Sequence, residues 1–163
     1  LKAALTGHLV FSTLHTNDAP SSITRLQNMG TPNYLISAAL SLIMAQRLAR
    51  RNCPECKIID ENVSPKLLNS IGFLPEQSAR AKIYKGKGCD HCGKSGFKGR
   101  MGIYEILEID KELKQGILSD LSQAELNAIA KKNGFKTMQE MGHDLLLSGD
   151  LCYLEFERVL QSN

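Results

Sequence analysis

The spacing of apolar residues along this chain changes from short runs to helical periods several times. "GHLVFSTL", Gly7 to Leu14, is short and mostly apolar, with Val10, Phe11 and Thr13, and predicts a strand buried in a parallel sheet. It runs into "HTNDAPSS", which is polar where such sheets place their chemistry, outside the carboxyl ends of strands. Asn17 or Asp18 can cap the helix that follows, and Pro20 suits its first turn. Ile23, Leu26 and Met29 then share one face before Gly30 ends it. From Asn33 to Ala49, Leu35, Ile36, Ala39, Leu40, Ile43 and Met44 cover much of a helical circumference. This predicts a buried helix with Arg47, Arg50 and Arg51 clustered at its end. Ser64 and Pro65 open a short helix, "PKLLNSIGF", whereas "GRMGIYEIL" reads as extended through Ile103, Tyr104, Ile106 and Leu107. The remainder reads as helical. Capping boxes at Ser122/Glu125 and Thr137/Glu140, with stops at Asn133-Gly134 and Gly149, predict helices near 111–118, 123–132, 138–147 and 151–161.

Composition sets the class. With 163 residues, 42% of them hydrophobic, the chain can bury one ordinary core, or a modest core beside a metal-stapled module. The longest apolar run, Tyr34 to Ala45, falls short of the ~20 residues of a membrane span, and no signal peptide precedes it. A cytoplasmic setting is expected, which disfavours a disulfide framework. The chain opens on Leu1 directly before a strand-like segment, which predicts an excised C-terminal piece of something longer.

"GCDHCGKSG" carries two patterns at once. Gly88, Gly93, Lys94 and Ser95 satisfy G-x-x-x-x-G-K-[ST], but a phosphate loop needs a strand before it and a helix directly after it. Here Gly96, Gly99 and Gly102 stand where the helix would begin, at about 1 kcal/mol for each interior glycine. The same nine residues hold Cys89 and Cys92. With "CPEC" at Cys53 and Cys56 they complete C-x2-C-x32-C-x2-C, four soft thiolates in two tight knuckles, the set that tetrahedral zinc prefers. Iron-sulfur, a disulfide pair or an empty remnant are the alternatives. Cys152, alone among apolar neighbours, reads as a small buried hydrophobe, and His91 as exposed. The formal charge of +3 drops by two with four thiolates and one Zn2+, which is no mandate for nucleic acid.

"TGHLVFSTLHTNDAPSSITRL" resembles the histidine box of the secretion superfamily ATPases, the hexameric motors of type IV pilus assembly and type II secretion. "IMAQRLARRNCPEC" followed by "GCDHCGKSGFKGRMGIYEIL" resembles their tetracysteine metal domain and the segment after it. The likeness covers essentially the whole chain. It implies an α/β protein with an α-helical tail. Residues 1–51 would be the C-terminal part of a RecA-like P-loop ATPase core, 52–100 a tetracysteine zinc subdomain, and 101–163 a mainly helical C-terminal region. His8 and His15 match the two histidines of the box, with Thr13 and Thr16 flanking the second at a strand end that faces nucleotide. Alone, His15 in "TLHT" reads as a hydrogen-bonded turn residue; the resemblance implies contact with the γ-phosphate or with the catalytic glutamate and water. Gln46 and Arg47 match "AQRL", either as a structural helix end or as a nucleotide contact, and Gly7 would permit close packing where the strand begins.

The same resemblance implies ATP and Mg2+ as ligands of the intact protein only, because the family's phosphate loop and acidic boxes precede its histidine box. It further implies a homo-hexamer, an inner-membrane platform protein as partner, no nucleic acid, no transmembrane segment and a cytoplasmic place at the inner-membrane face. The competing class is a zinc-ribbon-like module binding nucleic acid or protein, or a purely structural zinc module. The first would need aromatics interleaved with Lys and Arg, and aromatics are only 6% with no Trp.

Overall fold

The computed structural model describes residues 1–161. In chain order the elements are α1 (Lys2–Leu5), α2 (Ser21–Asn28), α3 (Asn33–Ala39), β1 (Leu42–Asn52), β2 (Lys57–Ile59), α4 (Pro65–Ser70), α5 (Pro75–Arg80) and β3 (Tyr84–Gly86). After a 3-10 turn at Asp90–Cys92 come β4 (Phe97–Glu108), α6 (Lys111–Leu118), α7 (Gln123–Lys132), α8 (Met138–Ser148), α9 (Tyr153–Phe156) and a π turn, Glu157–Gln161. The result is a mixed α/β chain in two compact units. One comprises 1–45 with 104–137, and the other 46–103 with the chain from Met138 onward. The segment expected as a helical C-terminal region, 101–163, thus contributes helices to both units, and Ser162 and Asn163 lie outside the described residues.

In the first unit, Asp18 closes the turn that leads into α2: its Oδ1 accepts the Ser21 N–H at 2.7 Å, while Pro20 holds the N-cap position. Gly30, with φ +80°, ends the helix as expected. Ile23, Ile36, Leu113 and Ile117 are fully buried and join α2, α3 and α6 in one core. Asp110 caps α6 through Leu113 N–H at 2.8 Å, and the Ser122/Glu125 box caps α7 as its spacing predicts.

Two expectations fail here. The segment from Gly7 to Leu14 forms no strand: no ladder partner lies beside it among the described residues, and Leu9 and Phe11 stay 84% and 87% exposed. A strand is stable only when a neighbour takes its N–H and C=O groups, and period alone supplies none. Gly7 accordingly has no atom within 4 Å of the place a Cβ would occupy; its φ of +90° turns the chain after α1. The predicted helix from Asn33 to Ala49 stops at Ala39, where Leu40 adopts ψ 132°, and Leu42–Asn52 becomes a strand paired with β4. The bonds Ile109 N–H to Ser41 O (2.9 Å) and Cys53 N–H to Gly96 O (2.8 Å) bracket that pair and make it antiparallel. Along β1, residues 43, 45 and 47 are partly covered while 42, 44 and 46 are exposed, the period of two that a half-buried strand requires.

In the second unit, β2 and β3 pair antiparallel in the register Lys57↔Gly86 and Ile59↔Tyr84. α4 starts where expected, with Ser64 Oγ accepting from Leu67 N–H. α5 was not predicted; it begins at Pro75, with Gln77 Oε1 accepting the Leu74 N–H at 3.2 Å. His143 on α8 lies between Phe73 and Phe156, ring centroids 4.4 and 5.5 Å away, and its Nε2 meets Ile71 O at 2.8 Å. Burial lowers its pKa. The predicted helix 151–161 is divided between α9 and the π turn.

Candidate functional site

The β2–β3 hairpin brings the two cysteine knuckles together. Cys56 directly precedes β2 and Cys89 follows β3, so pairing of the strands closes the 32-residue gap between the knuckles. Lys87 N–H bonds to Cys56 O at 2.9 Å, and Cys53 N–H to Gly96 O at 2.8 Å. The sulfur separations are 3.8 Å for Cys53–Cys89, 3.9 Å for Cys56–Cys92 and 3.7 Å for Cys89–Cys92, and all four Sγ atoms lie within 4.8 Å of one another. Metal–sulfur bonds of about 2.3 Å in a tetrahedron give an edge of about 3.8 Å, so this donor set fits a four-coordinate metal ion.

Backbone amides prepare the thiolates. Gly88 N–H points at Cys56 Sγ (3.2 Å), and Cys89 and Gly96 N–H at Cys92 Sγ (3.2 and 3.3 Å). The Cys89 amide, with that of Gly96, holds the Cys92 thiol down at about 6. Burial pushes the Cys56 thiol up to about 11.

Two glycines make the geometry possible. A Cβ on Gly86 would overlap Gly96 O, and a Cβ on Gly96, whose φ is +78°, would sit 2.6 Å from Gly86 O. The cysteine spacing points to the ligands but gives no sign of this approach, which only the three-dimensional pairing reveals. Gly93, Lys94 and Ser95 lie in the turn of the second knuckle. Lys94 has φ 63° and pairs with Asp90 at 2.8 Å, and a strand follows instead of the helix a phosphate loop requires. His91 is exposed with its Nδ1 3.3 Å from Glu55, and Cys152 is buried and free, as both were read.

The histidine-box residues occupy the unpaired segment of the first unit. His8 is exposed, its Nδ1 3.0 Å from Thr6 Oγ1. Thr13 and His15 are exposed, and Thr16 Oγ1 lies 2.9 Å from Ser22 Oγ near the start of α2. Arg47 is part of β1, where its Nη1 donates to Gln46 O at 3.2 Å. The cysteines form one cluster of which neither histidine is a member.

A second cluster in the unit that carries the cysteines escaped the sequence pattern. Glu155, 1% exposed, receives the Arg50 N–H (2.8 Å), Nε (3.1 Å) and Nη2 (2.8 Å), and also the Nε (2.9 Å) and Nη2 of Arg158.

A family model described as "Type II/IV secretion system protein" matches residues 1–158. A type IV pilus assembly ATPase of Thermus thermophilus is 45% identical over 148 residues, which is 91% of this chain and 16% of the relative. One from Acinetobacter baylyi is 44% identical over 98% of this chain and 27% of its own length. A putative type II secretion system protein E of Escherichia coli is 38% identical over 98% of this chain and 31% of its own. The chain therefore spans between about a sixth and a third of the curated relatives it matches.

Proposed function

Since the chain belongs to the type II/IV secretion system protein family, we propose that it is part of a hexameric ATPase that drives type IV pilus assembly or type II secretion. The observation that carries this reading is the match over residues 1–158, in which an exposed apolar segment bearing His8, Thr13, His15 and Thr16 leads into the core of the first unit. Higher identity to the pilus relatives, 45% and 44% against 38%, favours the pilus machine.

Residues 8–14 would complete a RecA-like sheet whose other strands belong to the rest of the protein. Burial there of Leu9, Val10 and Phe11, exposed in the chain alone, would stabilise the joined core by about 1.5–3 kcal/mol for each side chain. Docked in that way, the segment delivers His15 to the end of a strand. There it hydrogen-bonds the γ-phosphate, or the catalytic carboxylate and the attacking water that this carboxylate orients, while Thr13 and Thr16 fix the loop and Arg47 sits on a following strand. Phosphoryl transfer needs positioning and charge stabilisation, with Mg2+ supplying charge neutralisation between the phosphates. Cys53, Cys56, Cys89 and Cys92 would hold Zn2+ as a structural ion, in keeping with an all-thiolate set that leaves no open position for substrate. The assembly would work on the cytoplasmic face of the inner membrane against a platform protein. No described helix is long and apolar enough to cross a membrane, which is compatible with a peripheral place.

Steady-state ATPase assays on the intact protein test this. His15→Ala slows turnover by roughly 10- to 1,000-fold, the scale for one positioned polar group, with nucleotide affinity nearly retained. Lys94→Ala leaves both unchanged. Turnover by the isolated chain that depends on Lys94 would overturn the reading.

A further inference from the structure

A cavity of about 500 Å3 in the second unit is lined by Leu48, Ala49, Arg50, Arg100 and Arg158. Three of its five lining residues are arginines from three separate stretches of chain: β1, β4 and the final π turn. Bringing like charges together is unfavourable unless something answers them. Glu155 answers two, accepting Nε and Nη2 of both Arg50 and Arg158. A guanidinium carries five N–H donors, so each of these arginines keeps its Nη1 pair. The Arg100 side chain has no hydrogen bond or ion pair among the described residues and keeps all five of its donors. One carboxylate against three guanidiniums leaves the cluster two positive charges in excess.

The site is also held in place. The Arg50 guanidinium stacks on the Phe97 ring, 4.2 Å from its centroid, and Glu155 fixes both of its arginines from beneath with a fully buried side chain. A fork of planar donors with an excess of two charges matches the oxygens of a phosphate group better than a monovalent carboxylate. The volume falls within the range of small-ligand sites, and Leu48 and Ala49 give an apolar wall to whatever carries the phosphate.

We propose that Arg50, Arg100 and Arg158 form a binding site for a phosphate group, borne by a small phosphorylated molecule or by a lipid headgroup. Arg100 contributes the unshared donors, and Glu155 is a positioning residue.

Calorimetric titration of the metal-loaded 163-residue chain with pyrophosphate tests the first source. Co-sedimentation with phosphatidylglycerol against phosphatidylcholine vesicles tests the second. Arg100→Ala should weaken binding by about tenfold or more in whichever arm shows it. Its thermal midpoint should match that of the parent, since Arg100 has no internal polar partner to lose. Arg100→Lys should recover only part of the affinity, because it restores charge without the fork, and Lys111→Ala should bind as the parent does. Arg100-dependent binding of pyrophosphate assigns a soluble ligand, and Arg100-dependent retention on the anionic vesicles alone assigns a headgroup. Absence of binding in both arms overturns the proposal, as does an Arg100→Ala chain that binds as tightly as the parent.

Discussion

Glu155 shows how one residue can hold together stretches that lie far apart in sequence. Burial by itself would raise its carboxyl, but hydrogen bonds from Arg158 and Arg50 outweigh that and hold it at about 2, well below the usual carboxylate range. The group therefore binds fewer protons folded than unfolded. Its contribution is complete above the ordinary glutamate pKa of about 4.3 and is lost as pH falls from there through about 2. Glu155→Gln should lower stability by about 2 kcal/mol near neutrality, because both arginines are half exposed and recover part of their hydration. Urea midpoints at about pH 6 and about pH 3 read this directly: the difference between parent and variant should shrink at the acid end. A difference that grows on acidification would reverse the sign of the argument. Nothing in "DLCYLEFER" announces this role, because Arg50 lies 105 residues away. The four cysteines, by contrast, were legible, since their chemistry is written in residue type and spacing and needs no partner to be recognised.

Among elements, those whose ends are set by their own side chains were legible. Ser64, Asp110 and Ser122 each cap a helix and Asp18 closes the turn into another, so α4, α6, α7 and α2 begin where these side chains put them. Elements decided by a partner were not. "SLIMAQRLA" is apolar enough for a buried helix, and only pairing with β4 makes it a strand; residues 8–14 show the converse, a strand-like run with no neighbour to pair with among the described residues.

The Gly86–Gly96 approach is the sharpest case, and it supports a controlled test. Gly96 and Gly99 have nearly the same φ, +78° and +77°, but a Cβ on Gly99 meets nothing within 4 Å, whereas one on Gly96 meets Gly86 O at 2.6 Å. Gly99→Ala should cost about 1–2 kcal/mol, the left-handed backbone strain alone. Gly96→Ala adds a backbone overlap beside the Cys92 knuckle and should destabilise the metal-loaded chain well beyond that and weaken metal retention. Equal thermal midpoints and metal content for the two variants would show that the close approach carries no energy.

At the scale of the whole chain, the two units differ in what holds them. The first has its own apolar core, in which Ile23, Ile36, Leu113 and Ile117 are fully buried, and it contains none of the four ligand cysteines. The second also buries apolar side chains, among them Leu68, Ile71, Leu146, Leu151 and Phe156, but directly around its cysteine cluster it offers only the three-residue β2 and β3, two knuckles and the ends of β1 and β4, too little sheet to hold that corner unaided. A structural zinc contributes on the order of 10 kcal/mol, which becomes folding free energy wherever the site does not exist in the unfolded chain. Elemental analysis of chain purified under reducing conditions without chelator should therefore find one zinc per chain. Its removal should then raise amide exchange across 53–59 and 84–97 by orders of magnitude, because those amides are protected by the hairpin and by bonds to sulfur. Helices α6 and α7 should keep their protection, their bonds resting on a core the metal does not touch. Uniform deprotection of both regions would mean that the chain folds as one cooperative unit, and unchanged exchange at 53–59 and 84–97 would mean that the cysteine cluster is held by packing and backbone bonds without the ion.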